Sequence, residues 1–237
     1  MNPNALRAAE TLLDFIGKTE TGRTGIEAYS TIYGHKEGKL SKPLTDFTLD
    51  ELLAAQRTWG KNWGSSAAGK FQIIRKTLVG LIAQLGLAGS AKFSIKTQDM
   101  LGYQLLKGRG YEQFVDGKLS LKAFALNLSR EWASFPVLGP TQGASRAVQR
   151  GQSYYAGDGL NKALVSAADL EALLAEVLNE ATRAAPAPVP TAPKPIPAEP
   201  AQPAPEPPKA KNGCLGWSIF IAVVIAALAF VAFFVRF

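Results

Sequence analysis

The sequence predicts an α+β fold that is mainly helical and two-lobed, with a small β lobe and a single C-terminal transmembrane helix. Apolar residues recur at helical spacing through most of residues 1–183, which indicates amphipathic helices. Glycines and a proline interrupt residues 22–47 around the β-prone residues 28–33, a pattern typical of an irregular hairpin. An apolar run occupies residues 215–235. Together these patterns predict a helical domain, a β lobe within it and a membrane segment after it.

Apolar spacing and capping residues place the helices of the globular part. Leu6, Ala9, Leu13 and Ile16 line one face of a first helix, which Gly17 and the Thr-Glu-Thr-Gly turn bring to an end. Thr48 and Glu51 form a capping box that opens a helix over 49–59. Further helices are predicted over 69–85, 95–107, 121–135 and 167–183, the last with its own capping box at Ser166 and Asp169.

The composition divides the chain into a globular domain (1–183), a linker (184–213) and a membrane segment (214–237). The linker holds eleven of the fifteen prolines, so it cannot bury a core and favours extended polyproline II. At about 3.1 Å per residue, it reaches roughly 90 Å when fully extended. We therefore expect it to act as a semi-rigid tether.

Residues 215–235 carry no charged side chain, and about 20 apolar residues suffice for a helix to cross a bilayer. A buried core helix is the alternative, but core helices rarely run so long without a polar face. Trp217, near one end of the apolar run, suits the membrane interface. Two lysines, Lys209 and Lys211, precede the run, and one basic residue, Arg236, follows it. The amphipathic N-terminus does not look like a cleavable signal. We expect a C-terminal anchor in an inner membrane, with the linker on the cytoplasmic side.

Charge and composition narrow the classes of partner. The net charge is +7, of which +5 falls on residues 1–183, and this suits nucleic acid, anionic membranes or cell-wall polymers. No basic run with interleaved aromatics appears, so a nucleic-acid partner is not expected. His35 is the only histidine and Cys214 the only cysteine, so we expect neither a metal site nor a disulfide nor a cofactor.

The candidate chemistry centres on Glu20, which closes the first helix. The segment Ser65-Ser66-Ala67-Ala68-Gly69-Lys70-Phe71-Gln72 follows it. A carboxylic acid can donate a proton at neutral pH only when an apolar site raises its pKa, and Phe15, Ile16 and Phe71 could supply such surroundings. A solvated surface acid is the ordinary alternative for a glutamate in a turn.

The order of these segments resembles the lambda-phage type of endolysin over about residues 6–160. The resemblance is carried by LLDFIGKTETGRTG, SSAAGKFQIIRKTL, LGLAGSAKFSIKTQDMLGYQLLKGRG and LNLSREWASFP. It implies a lysozyme-like fold, peptidoglycan glycan strands as substrate and Glu20 as the catalytic acid. The proline-rich linker and the apolar run lie outside it.

A hydrolase of this kind usually needs a second carboxylate, and Glu27, Glu37 and Asp46 are the candidates. The position nine residues after Glu20, where another phage lysozyme pattern has Asp, holds Tyr29. Because no partner is obvious, lytic transglycosylation is favoured, in which a hydroxyl of the substrate attacks. A hydrolytic muramidase stays the alternative.

Five residues are candidates for substrate binding, each with a structural alternative. Gln72 either binds sugar or backbone in the cleft or is an ordinary surface amide, and Phe71 is either a sugar platform or core. Tyr29 and Tyr33 line the cleft or pack the β lobe. Gly69 belongs to the same small-residue loop.

Two functions from different classes follow. The first is a membrane-anchored enzyme that cleaves the MurNAc-GlcNAc bond of the cell wall and serves phage lysis or genome entry, with a holin-like lysis partner left open. The second is a non-catalytic wall-binding or virion protein that kept the cleft. The presence of both Glu20 and the Gly69–Gln72 segment favours the enzyme.

Overall fold

Eight α-helices and one short hairpin make up the part of the chain that the structure describes, residues 3–183 of a computed structural model. These residues belong to one unit of the chain, Met1–Ala187. The helices are α1 (Pro3–Thr21), α2 (Gly25–Ser30), α3 (Leu49–Trp63), α4 (Arg75–Leu85), α5 (Ile95–Gly108), α6 (Tyr111–Val115), α7 (Leu121–Glu131) and α8 (Ala167–Thr182). Strands β1 (Thr141–Gln142) and β2 (Ala147–Val148) pair antiparallel, Thr141 opposite Val148. The mainly helical prediction is confirmed.

The long helix α1 is the centre of the fold, and α8 packs along it. Its buried face includes Ala8, Leu12 and Ile16, which are fully buried. The Asn4 side-chain amide donates to the Arg183 carbonyl (2.8 Å), and the Tyr111 hydroxyl donates to the Ala5 carbonyl (2.6 Å). These contacts fix the N-terminal end of α1, while Glu20 lies in its last turn.

Capping side chains set several helix starts as the sequence predicts. Thr48 accepts from the Glu51 amide, and the Glu51 carboxylate accepts from the Thr48 amide (2.7 Å), so the capping box is confirmed. Ser166 accepts from the Asp169 amide at the start of α8. Helix α3 runs to Trp63, four residues beyond the prediction, and ends where Gly64 takes a left-handed conformation (φ 88°).

Helix α1 continues through Gly17, so the prediction that this glycine ends the helix is wrong. A Cβ at position 17 would lie 2.5 Å from Cγ of Lys70, because the Lys70 side chain crosses α1 at this point. The helix ends at Thr21, followed by Gly22 (φ 68°), so the predicted Thr-Glu-Thr-Gly turn does end it. Gly17 is therefore a close-approach position.

The predicted β lobe over residues 22–47 is also wrong. Residues 25–30 form α2, and three 3₁₀ turns follow at Tyr33–His35, Glu37–Lys39 and Leu44–Asp46. Gly22, Gly25 and Gly34 have positive φ, which no regular strand accommodates. Within this stretch, only an isolated bridge between Ile32 and Ala68 is strand-like.

Helix α4 begins at Arg75, not at residue 69, because residues 64–74 form an irregular loop. Within residues 3–183, no helix has the length and apolarity to cross a bilayer. The predicted linker at 184–213 and the predicted span at 215–235 lie outside the described residues.

Candidate active site

Glu20 lies on the last turn of α1, partly buried, where its carboxyl group meets the segment that follows α7. The Ser134 hydroxyl donates to Glu20 Oε1. Ser134 is itself buried and is separated from Glu20 by 114 positions. Glu20 and the Glu-Trp-Ala-Ser segment both stand out in the sequence, but no local pattern predicts that they are in contact.

Tertiary contacts hold the Ser134 segment in place. The Phe135 ring packs on Phe15 of α1, with ring centroids 6.0 Å apart. The Ser134 carbonyl accepts from the Leu164 amide (2.8 Å), and the Ala133 carbonyl accepts from the Ser153 hydroxyl (2.7 Å). Because both flanking residues are tied down, the Ser134 hydroxyl is fixed opposite the carboxyl group.

Burial raises the pKa of Glu20 from 4.5 to about 7. The hydrogen bond from Ser134 opposes this rise, and the negative charge of Glu131 adds to it. The C-terminal end of a helix carries partial negative charge, which also favours a neutral acid there. A carboxyl group with such a pKa is in part protonated at neutral pH and can therefore donate a proton.

Glu131 is a functional candidate that the sequence analysis missed. It is the last residue of α7, and its carboxylate accepts from Nε of Arg109 (2.7 Å). Its side chain is 14% exposed. The sequence feature that could have drawn attention to Glu131 is its place beside Trp132 in the LNLSREWASFP segment.

The three carboxylates that the sequence offered as partners for Glu20 have other contacts or none. Glu37 pairs with Arg23 (2.6 Å), and Asp46 lies 3.4 Å from Lys92. Glu27 is exposed on α2. Among the described residues, Glu131 is the carboxylate whose charge acts on Glu20.

The 64–74 loop owes its shape to Gly69 and Gln72, two of the predicted substrate-binding residues. A Cβ on Gly69 (φ 73°) would lie 2.2 Å from Gln98 Oε1, so only glycine fits. Gln72 has the unusual φ of 46° for a side-chain-bearing residue, and its amide donates to the Gly69 carbonyl (2.9 Å). Both residues thus close the loop, and sugar binding by either stays a prediction.

Phe71 lies in the hydrophobic core. Its side chain is 2% exposed, and a Cβ at Gly102 of α5 would come within 2.4 Å of its ring. A ring so enclosed offers no face to a sugar. The structure therefore favours the core role that the sequence left open.

Tyr29 belongs to a hydrogen-bonded cluster around the buried Lys70. Its hydroxyl donates to Asp99 (2.7 Å) and accepts from Lys70 Nζ (2.9 Å), which also donates to Asp14 (2.6 Å). The Lys70 side chain is 7% exposed. Desolvation lowers the pKa of Lys70, but the contacts with Asp14 and Tyr29 outweigh it and hold the pKa above its ordinary value. These contacts join α1, α2, the 64–74 loop and α5. They hold the second half of α1, on which Glu20 lies.

Tyr29 and Tyr33 lie in different surroundings. Tyr29 lines two cavities of about 410 and 250 Å³, both of which Lys70 also lines. Tyr33 is 41% exposed, with Lys36 Nζ 5.7 Å from its ring centroid. Glu131 lines a different groove of about 530 Å³ between α4, α5 and the end of α7. Glu20 lines neither these cavities nor the groove. Within residues 3–183, no group of three or more His, Cys, Asp or Glu residues is arranged to hold a metal ion.

Comparison with known proteins supplies the family. The chain is similar to one solved structure, bacteriophage lambda lysozyme complexed with a chitohexasaccharide, at 23% identity and a TM-score of 0.44, covering 75% of this chain and 96% of that one. No curated protein sequence matches the chain. A family model described as Endolysin matches residues 10–160. Because this match spans well over half of its length, the chain belongs to the endolysin family of peptidoglycan-degrading enzymes.

Proposed function

We propose that this chain cleaves the MurNAc-GlcNAc glycosidic bond of peptidoglycan, with Glu20 as the general acid. The observation that carries the proposal is the pKa of about 7 that burial gives the Glu20 carboxyl group, with the Ser134 hydroxyl fixed against it. The protonated carboxyl group gives its proton to the glycosidic oxygen as the bond to C1 of the muramic residue breaks. Tyr29, Tyr33, Gly69 and Gln72 remain the proposed substrate-binding residues, with Tyr33 the most exposed of them, whereas the enclosed Phe71 is assigned to the core.

We favour lytic transglycosylation over hydrolysis. In that reaction the C6 hydroxyl of the muramic residue attacks C1 and gives its proton to the Glu20 carboxylate, no water is consumed, and a 1,6-anhydro end forms. Two of the carboxylates that the sequence offered are paired with cations, Glu37 with Arg23 and Asp46 with Lys92, which supports a mechanism with one acid. The hydrolytic alternative rests on Glu131, because its charge acts on Glu20.

The released products distinguish the two reactions. Digestion of purified peptidoglycan by the chain is expected to yield 1,6-anhydro-muramic ends, which mass spectrometry separates from reducing ends by one water. Wholly reducing ends would make the protein a muramidase with Glu131 as the first candidate for the second carboxylate. No fragments at all, and no clearing in a peptidoglycan gel, would favour a non-catalytic wall-binding protein.

The pH dependence of cleavage tests the surroundings of Glu20. A general acid must be protonated, so activity is expected to fall as pH rises through its pKa of about 7. Ser134→Ala removes a hydrogen bond that lowers this pKa, so the alkaline limb of the pH–rate profile should move to higher pH. Glu131→Gln removes a like charge and frees Arg109, so the limb should move to lower pH.

The two variants control each other, because general damage to the fold would not shift the limb in opposite directions. The quantity to measure is kcat/KM on soluble glycan strands between pH 4 and 9. Shifts of the same sign in both variants would contradict the proposed roles of Ser134 and Glu131.

We further propose that residues 215–235 anchor the protein in the host inner membrane, with the linker and domain on the cytoplasmic side. The proposal rests on the uncharged apolar run and on the lysines at 209 and 211. The enzyme would then reach the wall only after the membrane is breached, across a tether of up to roughly 90 Å, and a holin-like partner would suit that breach.

Protease added to intact spheroplasts before lysis tests this arrangement. We expect the domain to be protected, to sediment with membranes, and to become sensitive when detergent opens the membrane. Digestion of the domain in intact spheroplasts would contradict sequestration, and recovery of the full chain in the soluble fraction would contradict the anchor.

A further inference from the structure

A groove of about 530 Å³ lies between α4, α5 and the end of α7, and we name it the basic groove. Leu81 of α4 and Leu105 of α5 give it apolar walls, and Tyr155 lines one side. Lys76, Arg109, Arg130 and Glu131 supply its charges. The proposed function uses one of these residues, Glu131, and assigns no role to the rest of the groove.

The charges of the basic groove do not cancel. Glu131 pairs with Arg109, so the only carboxylate among the lining residues neutralises one of the three cations. Lys76 and Arg130 form no ion pair with any residue between 3 and 183. Both are exposed, and the Arg130 guanidinium lies 5.4 Å from the ring centroid of Tyr154. Two cations therefore face the groove without a counterion from the described part of the chain.

The basic groove adjoins the surroundings of Glu20 through one residue. Glu131 lines the groove, and its negative charge acts on the Glu20 carboxyl group. Ser134, which donates to Glu20, lies three positions after Glu131 in the same segment. A substrate group attached next to the cleaved bond could thus enter the groove.

Peptidoglycan carries such a group. Each muramic residue bears a short peptide that combines free carboxylates with small apolar side chains, whereas the sugar backbone itself is uncharged. Unpaired cations beside apolar walls complement the peptide and not the sugar. We propose that the basic groove binds the anionic peptide on the muramic residue at the scissile bond, with Lys76 and Arg130 pairing with its carboxylates. This inference rests on the proposed function.

Three soluble, uncross-linked substrates test the proposal: strands with intact peptides, strands whose peptide carboxylates are amidated, and strands freed of peptide. With the full chain, kcat/KM for intact strands is expected to exceed that for amidated strands by about tenfold, the combined effect of two exposed ion pairs. The preference should shrink with added salt, because exposed charges are screened.

A charge-reversal variant and a matched control assign the preference to the groove. Lys76→Glu with Arg130→Glu should bring the ratio of kcat/KM between intact and amidated strands to about one. Arg57→Glu with Lys96→Glu changes the net charge equally at two exposed positions that do not line the groove, so it should retain the ratio. Circular dichroism of both variants tests whether they are folded.

The outcomes separate this inference from the proposed function. Equal kcat/KM on intact and amidated strands, or a ratio that survives the charge reversal, would overturn the groove proposal while leaving the enzyme intact. A preference for amidated over peptide-free strands alone would show an apolar peptide site and overturn the role of the cations. Cleavage of no strand by the parent chain would overturn the proposed function. In that case equilibrium binding of the same three strands tests the groove, with the same ratio expected for intact over amidated strands.

Discussion

Glu20→Gln is expected to lower the rate of peptidoglycan cleavage by at least ~10²-fold, the usual loss when a general acid is removed. The amide keeps the shape of the side chain and can keep a contact with Ser134, but it has no acidic proton to give to the leaving oxygen. Turbidity loss of purified cell walls and fragment release, both at pH 6, measure the effect. Near-normal activity in the folded variant would contradict the assignment.

A stability measurement shows whether the loss is chemical. The parent Glu20 has a folded-state pKa of about 7, above its ordinary value of 4.5, so its contribution to stability is full below pH 4.5 and is lost as pH rises to 7. Glutamine does not titrate. The free energy of unfolding of the Glu20→Gln variant should therefore rise relative to that of the parent as the pH is raised from 4 to 8. An inactive variant that shows this gain is folded around the altered site.

Glu27→Gln is the matched control. This glutamate is exposed on α2 and is one of the carboxylates that the sequence offered as a second catalytic group. Activity within twofold of the parent is expected. A loss comparable with that of Glu20→Gln would restore Glu27 as the second carboxylate and favour hydrolysis.

Local sequence signals were enough to place most of the helices. Side-chain caps at Thr48 and Ser166 act over three residues, so their effect can be read directly from the sequence. The apolar face of α1 is equally local, because residues three and four apart share a face. The helices over 95–107 and 167–183 were accordingly predicted to within one residue at each end.

The errors arise where distant contacts decide the local conformation. The residues around Ala28 and Tyr29 look β-prone, yet they form α2, which the Tyr29 contact with Asp99 ties to α5. The sequence alone suggests that Gly17 helps to end α1, whereas in the structure this glycine leaves room for the Lys70 side chain. Likewise, 114 positions separate Glu20 from Ser134, and no single-sequence pattern reports such a distance. Glu20 could thus be singled out as a candidate from the sequence, whereas the groups that tune its pKa could not.

Phe71→Ala is expected to lower the free energy of unfolding by ~3–5 kcal/mol, the usual cost of removing a buried aromatic ring. For a domain of this size the midpoint of thermal unfolding should fall by roughly 6–20 °C. The reason is packing, because the ring is 2% exposed. A rise in KM with unchanged stability would instead support the sugar-platform role.

Gly102→Ala provides a sharper test of the same contact, because its effect should change sign with the residue at position 71. In the parent, the added methyl would lie 2.4 Å from the Phe71 ring, so the substitution should destabilise even though alanine favours a helix by up to ~1 kcal/mol over glycine. In the Phe71→Ala background the clash is gone, and the same change should stabilise by about 0.5–1 kcal/mol. Urea unfolding of all four proteins measures the coupling. Gly80→Ala in α4 is the control, since its Cβ meets no atom within 4 Å, and it should stabilise both backgrounds alike. An effect of Gly102→Ala that is equal in both backgrounds would contradict the packing of Phe71 on α5.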